Sequence, residues 1–439
     1  MWLLLDLLYI AALVLISPWL FYQAVTKGKY REGLAAKLFG RVPKRKSNAL
    51  CIWFHAVSVG EVRLLLPLIS EIERRRPEWD CVVSTTTATG YGLARLQFAR
   101  MSVYYCPLDF SWAVRRAMRR IRPTLLVLAE LELWPNLVRA AQDHGVGVAV
   151  INGRLSERSF RGYRRVHWLM RHVLAAVDVI AAQSDEYARR FRELGADQRR
   201  VHVTGSIKYD GAQCDRNNPA TERLRRLAGI SPSDAVFLAG STQEPEEAIA
   251  LAVYGRLAAE FPCLRLIVVP RHPHRFDEVA ALFASSGVAW QRRSDLSDGS
   301  PPHPSCRVLL VDTVGELGAW WGTAQIAFVG GSLGNRGGQN MIEPAAYGAA
   351  VCFGPNTRNF RDTVESLLAN RAAVVVHDER ELGRFVRRCL AEPHFSAELG
   401  ERAAALVAAS RGATGRTLDL LEPLVESAAN KCVVRGAAA

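Results

Sequence analysis

Glu61 is the first residue along the chain whose position suggests a catalytic role. It follows the apolar run Leu50–His55, a turn of small residues and Gly60, and the next segment, VRLLLPLISEIERR, has helical spacing of its apolar residues. Glu61 is therefore predicted to lie where a strand passes into a helix. In an open α/β sheet this edge binds ligands, and a carboxylate there can act as a general base. An acid in a first helical turn is also favoured by the helix macrodipole alone.

Phosphate-binding chemistry is predicted in the second half of the chain, again after strand-like runs. Arg271 ends the run LRLIVVPR, and its guanidinium can hold a phosphate through two hydrogen bonds. Two later strand-to-helix turns combine exposed backbone N–H groups, which can bind phosphate, with an acidic residue. The first turn contains Thr313, Val314, Gly315 and Glu316. The second precedes a helix that starts near Asn340, and it contains Gly330, Gly331, Gly334, Gly337, Gly338, Asn340 and Glu343. The chain has no GxxxxGK[ST] motif and no GxGxxG motif followed by an acid about twenty residues on, which disfavours a P-loop and a Rossmann dinucleotide site.

The elements that must position these residues alternate along the chain. Strand-like runs near 50–55, 80–86, 102–106, 124–129, 147–151, 178–182 and 200–204 are separated by amphipathic helical runs. This alternation predicts a parallel, doubly wound sheet. It stops in the polar segment 209–234 and resumes at 236–242. We therefore predict two α/β domains facing a cleft, at 27–215 and 216–425, with a tail at 426–439. The last helical stretch, 395–425, is long enough to pack back on the first domain.

Charge and cysteine content indicate which partners and which cellular compartment suit the protein. The formal net charge of +13 favours anionic lipid headgroups, phosphorylated sugars or nucleic acid. The nine cysteines include no C-x-x-C pair, which is typical of a reduced, cytoplasmic protein. His272 and His274 form an H-x-H pair without the further ligands of a zinc site, so no metal is predicted. His55 is either a structural histidine or a substrate contact.

The first 26 residues are predicted to form a hydrophobic membrane anchor. Within 2–22 only Asp6 is charged, and the segment lacks the features of a cleaved signal peptide. Pro18 is expected to interrupt it, so that a tilted span and an in-plane anchor both remain open. The basic residues that follow predict cytoplasmic placement of the chain and contact with anionic lipid; they are Lys27, Lys29, Arg31, Lys37, Arg41, Lys44, Arg45 and Lys46. The alternative is a buried N-terminal helix followed by a solvated loop.

Ordered motifs along the whole chain resemble one enzyme family. They are HAVSVGE (55–61), ELELWPN (130–136), INGRLSERS (151–159), VTGSIKYD (203–210), VPRHPHRF (269–276), DTVGEL (312–317), FVGGSL (328–333) and the Gly-Gly-x-Asn-x-x-Glu run (337–343). The chain is similar in these motifs to the 3-deoxy-D-manno-octulosonic acid (Kdo) transferases of lipid A and lipopolysaccharide biosynthesis.

The resemblance implies a GT-B inverting glycosyltransferase that acts without a metal or other cofactor. The implied donor is CMP-Kdo, and the implied acceptor is a lipid A precursor, the tetraacyldisaccharide 1,4'-bisphosphate. The implied location is the cytoplasmic face of the inner membrane, with anionic lipids as partners and no nucleic acid. By motif, Glu61 resembles the general base, and Glu130 and Lys208 match positions that stabilise the transition state. The CMP-binding positions correspond to Pro270, Arg271, Val314, Gly315, Glu316, Asn340, Met341, Ile342 and Glu343.

Two other functions remain open from the sequence. Another GT-B-type nucleotide-sugar enzyme, such as an epimerase, would use a similar two-domain architecture, but it would not need a membrane anchor. A non-catalytic basic protein that binds membranes or nucleic acid would explain the charge. It would leave unexplained why Arg271 and the glycine-rich turns follow successive strands.

Overall fold

The computed structural model describes residues 2–27, 31–297, 303 and 306–436. The chain forms two compact units: unit 1 comprises Met1–Gly211 and Arg411–Ala439, and unit 2 comprises Ala212–Ser410. The chain thus passes into unit 2 near residue 211, where the sequence placed the boundary at 215, and it returns to unit 1 near residue 410.

Unit 1 is built on a parallel sheet. Its strands are β1 (Cys51–His55), β2 (Asp80–Thr85), β3 (Ser102–Tyr105), β4 (Leu125–Ala129), β5 (Gly147–Gly153), β6 (Val179–Ala182) and β7 (Val201–Val203), in the order β3-β2-β1-β4-β5-β6-β7. Its helices from the first part of the chain are α1 (Trp2–Lys27), α2 (Leu34–Phe39), α3 (Val59–Arg75), α4 (Ala88–Gln97), α5 (Ser111–Ile121), α6 (Pro135–Asp143), α7 (Glu157–Arg164), α8 (His167–Ala175) and α9 (Asp185–Glu193). The reversal of strand order at β1 and β4 is the doubly wound topology, which creates a ligand site at that point.

Unit 2 repeats this architecture. Its strands are β8 (Ala235–Thr242), β9 (Leu264–Pro270), β10 (Trp290–Arg292), β11 (Val308–Leu310), β12 (Ile326–Val329), β13 (Ala350–Phe353) and β14 (Ala373–Val375), in the order β10-β11-β9-β8-β12-β13-β14. Its helices are α10 (Pro219–Leu227), α11 (Glu246–Leu257), α12 (Phe276–Ala284), α13 (Leu317–Trp320), α14 (Ile342–Ala346), α15 (Arg361–Ala369), α16 (Glu379–Ala391) and α17 (Pro393–Ser410). All strand pairs are parallel, so the turns after the strands leave the sheet at one edge.

A final helix, α18 (Ala413–Gly436), packs in unit 1. Its residues Leu418, Leu421 and Val425 are fully buried in the same core cluster as Ile52 and Leu65. An ion pair of 2.7 Å between Arg75 Nη1 on α3 and Asp419 Oδ1 adds a polar contact at its surface. The stretch that the sequence treated as one helical segment is therefore two helices, α17 in unit 2 and α18 in unit 1.

The strands of unit 1 are apolar on both sides because helices cover both faces of a parallel sheet. All five residues of β1 are buried. They include His55, whose Nδ1 lies 3.0 Å from Ser84 Oγ on β2. Burial lowers the pKa of His55 to about 4, although the hydrogen bond with the Ser84 backbone opposes the shift. His55 is therefore a neutral structural histidine. Of the two roles that the sequence left open, a structural histidine or a substrate contact, the structure favours the first.

Helix α1 is continuous, which corrects the expected interruption at Pro18. Proline has no N–H to donate to the carbonyl four residues earlier, Val14. That carbonyl instead accepts a hydrogen bond of 2.8 Å from Ser17 Oγ. The segment Leu4–Thr26 is long and apolar enough to cross a membrane, with a mean hydropathy of 2.1, and only 6% of its most apolar window is buried. The helix is therefore not buried in the core of unit 1.

Candidate active site

Glu61 lies in the first turn of α3, directly beyond the end of β1, as the sequence predicted. Ser58 is the N-cap residue, and its Oγ accepts a hydrogen bond from the Glu61 N–H at 3.3 Å. The Glu61 carboxylate turns back in a capping-box arrangement. Its Oε1 accepts from Ser58 Oγ at 2.7 Å, and its Oε2 accepts from the Val57 N–H at 2.9 Å. The side chain is thus held at a defined position on the ligand-binding edge.

Opposing effects act on the proton affinity of Glu61. Burial raises its pKa, and the negative charge of Glu130 contributes in the same direction. The hydrogen bonds from Ser58 and Val57 lower the pKa, but the net direction is upward from the usual value of a glutamate. A raised pKa makes the ionised carboxylate a stronger base, so this environment suits proton transfer.

Glu130 and Lys208 form an ion pair beside Glu61. His55 of β1 and Leu128 of β4 are register partners, so the turns after these neighbouring strands emerge side by side. Glu130 begins the turn after β4 in a left-handed backbone conformation, with φ 54°, which is uncommon for a residue with a side chain and is often found at functional sites. Its Oε1 accepts a hydrogen bond of 2.8 Å from Lys208 Nζ. The fold thereby brings together three residues that lie up to 147 positions apart in sequence.

Glu132 joins this group and was not among the predicted site residues. Helix α6 begins at Pro135, and Glu132 lies ahead of it in the turn after β4. Burial, together with the negative charges of Glu61 and Glu130, raises the pKa of Glu132 to about 7. A hydrogen bond of 2.8 Å from Trp134 Nε1 opposes the shift. The sequence signal that could have identified Glu132 is the Glu-x-Glu pattern directly after a strand.

In unit 2, Pro270 and Arg271 lie where the sequence predicted, at the end of β9. Pro270 is the last residue of the strand and is buried, whereas Arg271 is exposed. The Arg271 Nε donates a hydrogen bond of 3.2 Å to Gln339 Oε1, in the turn between β12 and α14. The two turns lie on either side of β8 in the sheet order. Arg271 therefore presents a cation to the ligand-binding edge of unit 2.

The turn after β11 contains Val314, Gly315 and Glu316. Val314 is 77% exposed, and Gly315 has φ 93°, a conformation that favours glycine. Glu316 is tied down by Arg293, whose Nε and Nη2 donate at 2.9 and 2.8 Å, and by Thr313 Oγ1 at 2.7 Å. Burial alone would raise the pKa of Glu316, but these hydrogen bonds outweigh it and the pKa is lowered. Glu316 thus stays ionised and holds the turn in shape.

The glycine-rich turn after β12 differs from the sequence prediction, because a carboxylate of the protein already binds part of it. Glu246, the first residue of α11, is 1% exposed. Its Oε2 accepts from the N–H groups of Gln243 at 2.9 Å and Gly331 at 2.7 Å, and its Oε1 accepts from those of Ser332 at 2.9 Å and Leu333 at 3.0 Å. The Gly331 amide, one of those expected to bind phosphate, and its neighbours at Ser332 and Leu333 are therefore satisfied internally.

The remainder of that turn leads to Asn340 and Glu343. Asn340 Nδ2 donates to Glu343 Oε1 at 2.9 Å, and Asn340 Oδ1 accepts from the Ile342 N–H at 3.0 Å. The side chains of Met341 and Ile342 are 0% and 2% exposed. These two predicted CMP-binding residues therefore offer a ligand only their backbone. The helix begins at Ile342, close to the predicted start near Asn340, and with five residues it has a weak macrodipole.

The comparison with known proteins is consistent with this geometry. The profile of the family described as 3-Deoxy-D-manno-octulosonic-acid transferase (kdotransferase) matches residues 33–211. A 3-deoxy-D-manno-octulosonic acid transferase of Bordetella pertussis is 36% identical over 420 residues, which cover 93% of this chain and 96% of that protein. Its counterpart in Haemophilus influenzae is 32% identical over 413 residues, covering 92% and 94%.

Solved structures with little sequence similarity share the fold. UDP-GlcNAc 2-epimerase from Neisseria meningitidis superimposes with a TM-score of 0.58 at 12% identity, covering 85% of this chain and 100% of that one. A glycosyltransferase from Rickettsia africae gives a TM-score of 0.56 at 12% identity, covering 86% and 99%. Identities this low support the fold alone and do not favour an epimerase. The transferase relatives and this shared fold together identify the protein as a glycosyltransferase with the GT-B fold.

Within that class, the full-length relatives decide the assignment. The chain belongs to the 3-deoxy-D-manno-octulosonic acid (Kdo) transferase family. This confirms the resemblance that the motifs carried.

Proposed function

We propose that this protein transfers Kdo from CMP-Kdo to a hydroxyl group of a lipid A precursor, with inversion at the anomeric carbon. The observation that carries the proposal is the placement of Glu61, oriented by Ser58 and Val57, beside Glu130 and Lys208 in a chain of the Kdo transferase family. A sugar hydroxyl is a poor nucleophile until a base removes its proton. Glu61 is in a position to do so.

The transfer step follows from these groups. Glu61 takes the proton of the acceptor hydroxyl while the acceptor oxygen forms a bond to the anomeric carbon of Kdo. The bond from that carbon to the phosphate oxygen breaks, and CMP leaves with the electron pair. Direct displacement of this kind inverts the configuration at carbon. Lys208, held by Glu130 at 2.8 Å, supplies positive charge for the transition state.

The donor nucleotide is assigned to unit 2. Arg271 suits the phosphate of CMP, because an exposed guanidinium can form two parallel hydrogen bonds with it. The exposed backbone of Val314 and Gly315 and the Asn340–Glu343 segment complete the proposed CMP site, with Glu343 directed to the ribose hydroxyls. Pro270 and Glu316 shape their turns.

We further propose that the reaction needs no metal or other cofactor. Within the described residues, no three His, Cys, Asp or Glu side chains are grouped so that they could hold a metal ion. His272 and His274 stack with ring centroids 5.3 Å apart. The guanidinium of Arg271 and the ammonium of Lys208 provide the charge that a metal supplies in other transferases. Turnover is therefore expected to persist in excess EDTA.

The proposed location is the cytoplasmic face of the inner membrane, where α1 and the basic residues after it contact anionic lipid. The lipid acceptor would be encountered on that surface. This placement is supported by the apolarity of Leu4–Thr26 and by the net charge of +13. No nucleic acid partner is proposed.

One assay tests the function. The protein is incubated with CMP-Kdo and the tetraacyldisaccharide bisphosphate precursor in detergent, and both CMP and the glycolipid product are measured. We expect the two products in equal amounts, with none from CDP- or UDP-sugars. If instead UDP-GlcNAc is converted without any lipid acceptor, the epimerase alternative is correct. If binding to anionic vesicles occurs without turnover of any sugar nucleotide, the protein is the non-catalytic alternative.

A further inference from the structure

The N-terminal helix α1 carries a single charged side chain within its apolar stretch, Asp6. The Asp6 side chain is buried against unit 1. Asp6 is 5% exposed. Its Oδ1 accepts hydrogen bonds from the Ser111 N–H at 2.9 Å and from Asn136 Nδ2 at 3.2 Å, and its Oδ2 accepts from Ser111 Oγ at 2.5 Å. Ser111 is the first residue of α5, whose N-cap residue Phe110 makes no side-chain cap. The Asp6 carboxylate therefore takes the place of that cap and complements the macrodipole of α5.

A second contact lies three residues further along α1, on the same face. Tyr9 Oη donates to Asp109 Oδ2 at 3.1 Å, and the Tyr9 ring packs edge-on against Phe110 with centroids 6.2 Å apart. Asp109 in turn accepts from the N–H groups of Asn136 at 3.0 Å and Leu137 at 2.8 Å. The first turns of α1 are thus joined to the starts of both α5 and α6.

The chain that follows α1 also contacts unit 1. Arg31 Nε donates to the Ala24 carbonyl of α1 at 2.7 Å. The next residue, Glu32, accepts a hydrogen bond of 2.5 Å from Tyr105 Oη on β3. The two ends of a membrane-spanning helix lie on opposite sides of a hydrocarbon layer about 30 Å thick. Asp6 and Tyr9 near the start of α1 instead contact the same folded unit as Glu32, which follows the other end of the helix by five residues, so α1 cannot span a bilayer while these contacts exist.

We infer that α1 is an in-plane anchor, which enters one leaflet of an anionic bilayer with its apolar face while Asp6 and Tyr9 hold its opposite face on unit 1. This inference rests on the membrane association proposed above. The side chains that enter the lipid are the exposed ones, including Leu7 (63%), Leu15 (81%) and Phe21 (72%). Lipid is the occupant that the charge favours, because residues 27–46 contain eight basic side chains and one acidic side chain.

The in-plane arrangement also explains how a lipid-linked substrate reaches the candidate active site. Asn136, which contacts Asp6, lies four residues after Glu132 and is the second residue of α6, just after the turn that ends at Trp134. The docking point of α1 is therefore at the same edge of the unit 1 sheet as Glu61, Glu130 and Glu132. A sugar hydroxyl that emerges from the leaflet is delivered to this edge.

The test is the side of the membrane on which the amino terminus lies. A short hydrophilic extension with one cysteine is placed before Met1, and spheroplasts and inside-out vesicles are treated with a membrane-impermeant maleimide. The extension is identified after proteolysis, and the chain without it serves as the labelling control. We expect labelling in inside-out vesicles only. Labelling of intact spheroplasts would show that α1 spans the membrane and would overturn the inference. Recovery of the protein outside the membrane fraction would refute the membrane association itself.

A pair of variants tests the role of Asp6. Asp6→Leu removes the polar contacts with Ser111 and Asn136 and raises the hydropathy of α1, so a measurable fraction of the extension should become labelled from outside. Ala11→Leu raises hydropathy at an exposed position of the same helix and should leave the extension inside. If both variants stay inside, Asp6 does not determine the topology. If both move outside, hydropathy alone determines it.

Discussion

Replacing Glu61 with glutamine removes the proposed base while preserving nearly all of its surroundings. The Gln carbonyl can still accept from the Val57 N–H, and its amide can donate to Ser58 Oγ, so the capping box that holds α3 is retained. The lost charge near the helix N-terminus costs about 0.3 to 1 kcal/mol, partly offset because a half-buried charge no longer has to be desolvated. We expect the free energy of unfolding to change by less than about 1 kcal/mol.

The effect on turnover should be far larger. Loss of a positioned general base typically lowers kcat about 100- to 10,000-fold, which corresponds to about 3 to 5 kcal/mol of transition-state stabilisation. The affinity for CMP, measured by calorimetry, should not change, because the nucleotide is assigned to unit 2. Glu73→Gln, at an exposed position on the same helix, is the matched control and should keep full activity.

The pH profile separates a base from a residue that only holds the turn. Since burial raises the pKa of Glu61, kcat/KM of the wild type should rise with pH through a pKa above that of an ordinary glutamate. The residual activity of Glu61→Gln should lack this rise. A folded Glu61→Gln enzyme with near-normal kcat, or one that keeps the same acid limb, would refute the assignment.

Substitutions at three further positions test the remainder of the site. Arg271→Ala should weaken CMP binding and raise the KM for the donor. Arg271→Lys should have an intermediate effect, because lysine keeps the charge but cannot form two parallel hydrogen bonds with the phosphate. Unchanged CMP affinity in calorimetry would show that the nucleotide binds elsewhere. Glu132 has a pKa raised to about 7, so its favourable contribution to stability is full below about pH 4 and is lost as pH rises through 7. Glu132→Gln should therefore unfold at higher denaturant than wild type at pH 8, and this difference should shrink at pH 5; a pH-independent difference would contradict the shift. A glutamine at position 246 cannot accept from all four N–H donors that Glu246 binds. Glu246→Gln should therefore lower the free energy of unfolding by about 3 kcal/mol or more, because each hydrogen bond lost to a charged group costs about 1.5 to 3 kcal/mol. If thermal unfolding shows the same stability as for the exposed control Glu365→Gln, this carboxylate does not hold the turn.

The secondary structure and the fold class were accessible from the sequence because both depend on local patterns. Apolar runs of four to eight residues alternating with amphipathic segments predict a doubly wound sheet wherever they occur, and both sheets confirm this. The exception is β10, a three-residue edge strand of Trp-Gln-Arg, which has no apolar run to reveal it. The positions of Glu61 and Arg271 at strand ends were equally local and were predicted correctly.

What the sequence could not determine involves residues that are distant along the chain. The pKa of Glu132 is raised by burial and then by the charge of Glu61, 71 positions earlier, which the parallel pairing of β1 and β4 places nearby. The Gly331–Leu333 amides look available for phosphate until α11 brings Glu246 against them from 85 positions away. Asp6 reads as an isolated charge in an apolar helix until Ser111 and Asn136 surround it. Local sequence specifies which groups can donate, accept or ionise, but only tertiary contacts specify which of those groups have already found a partner.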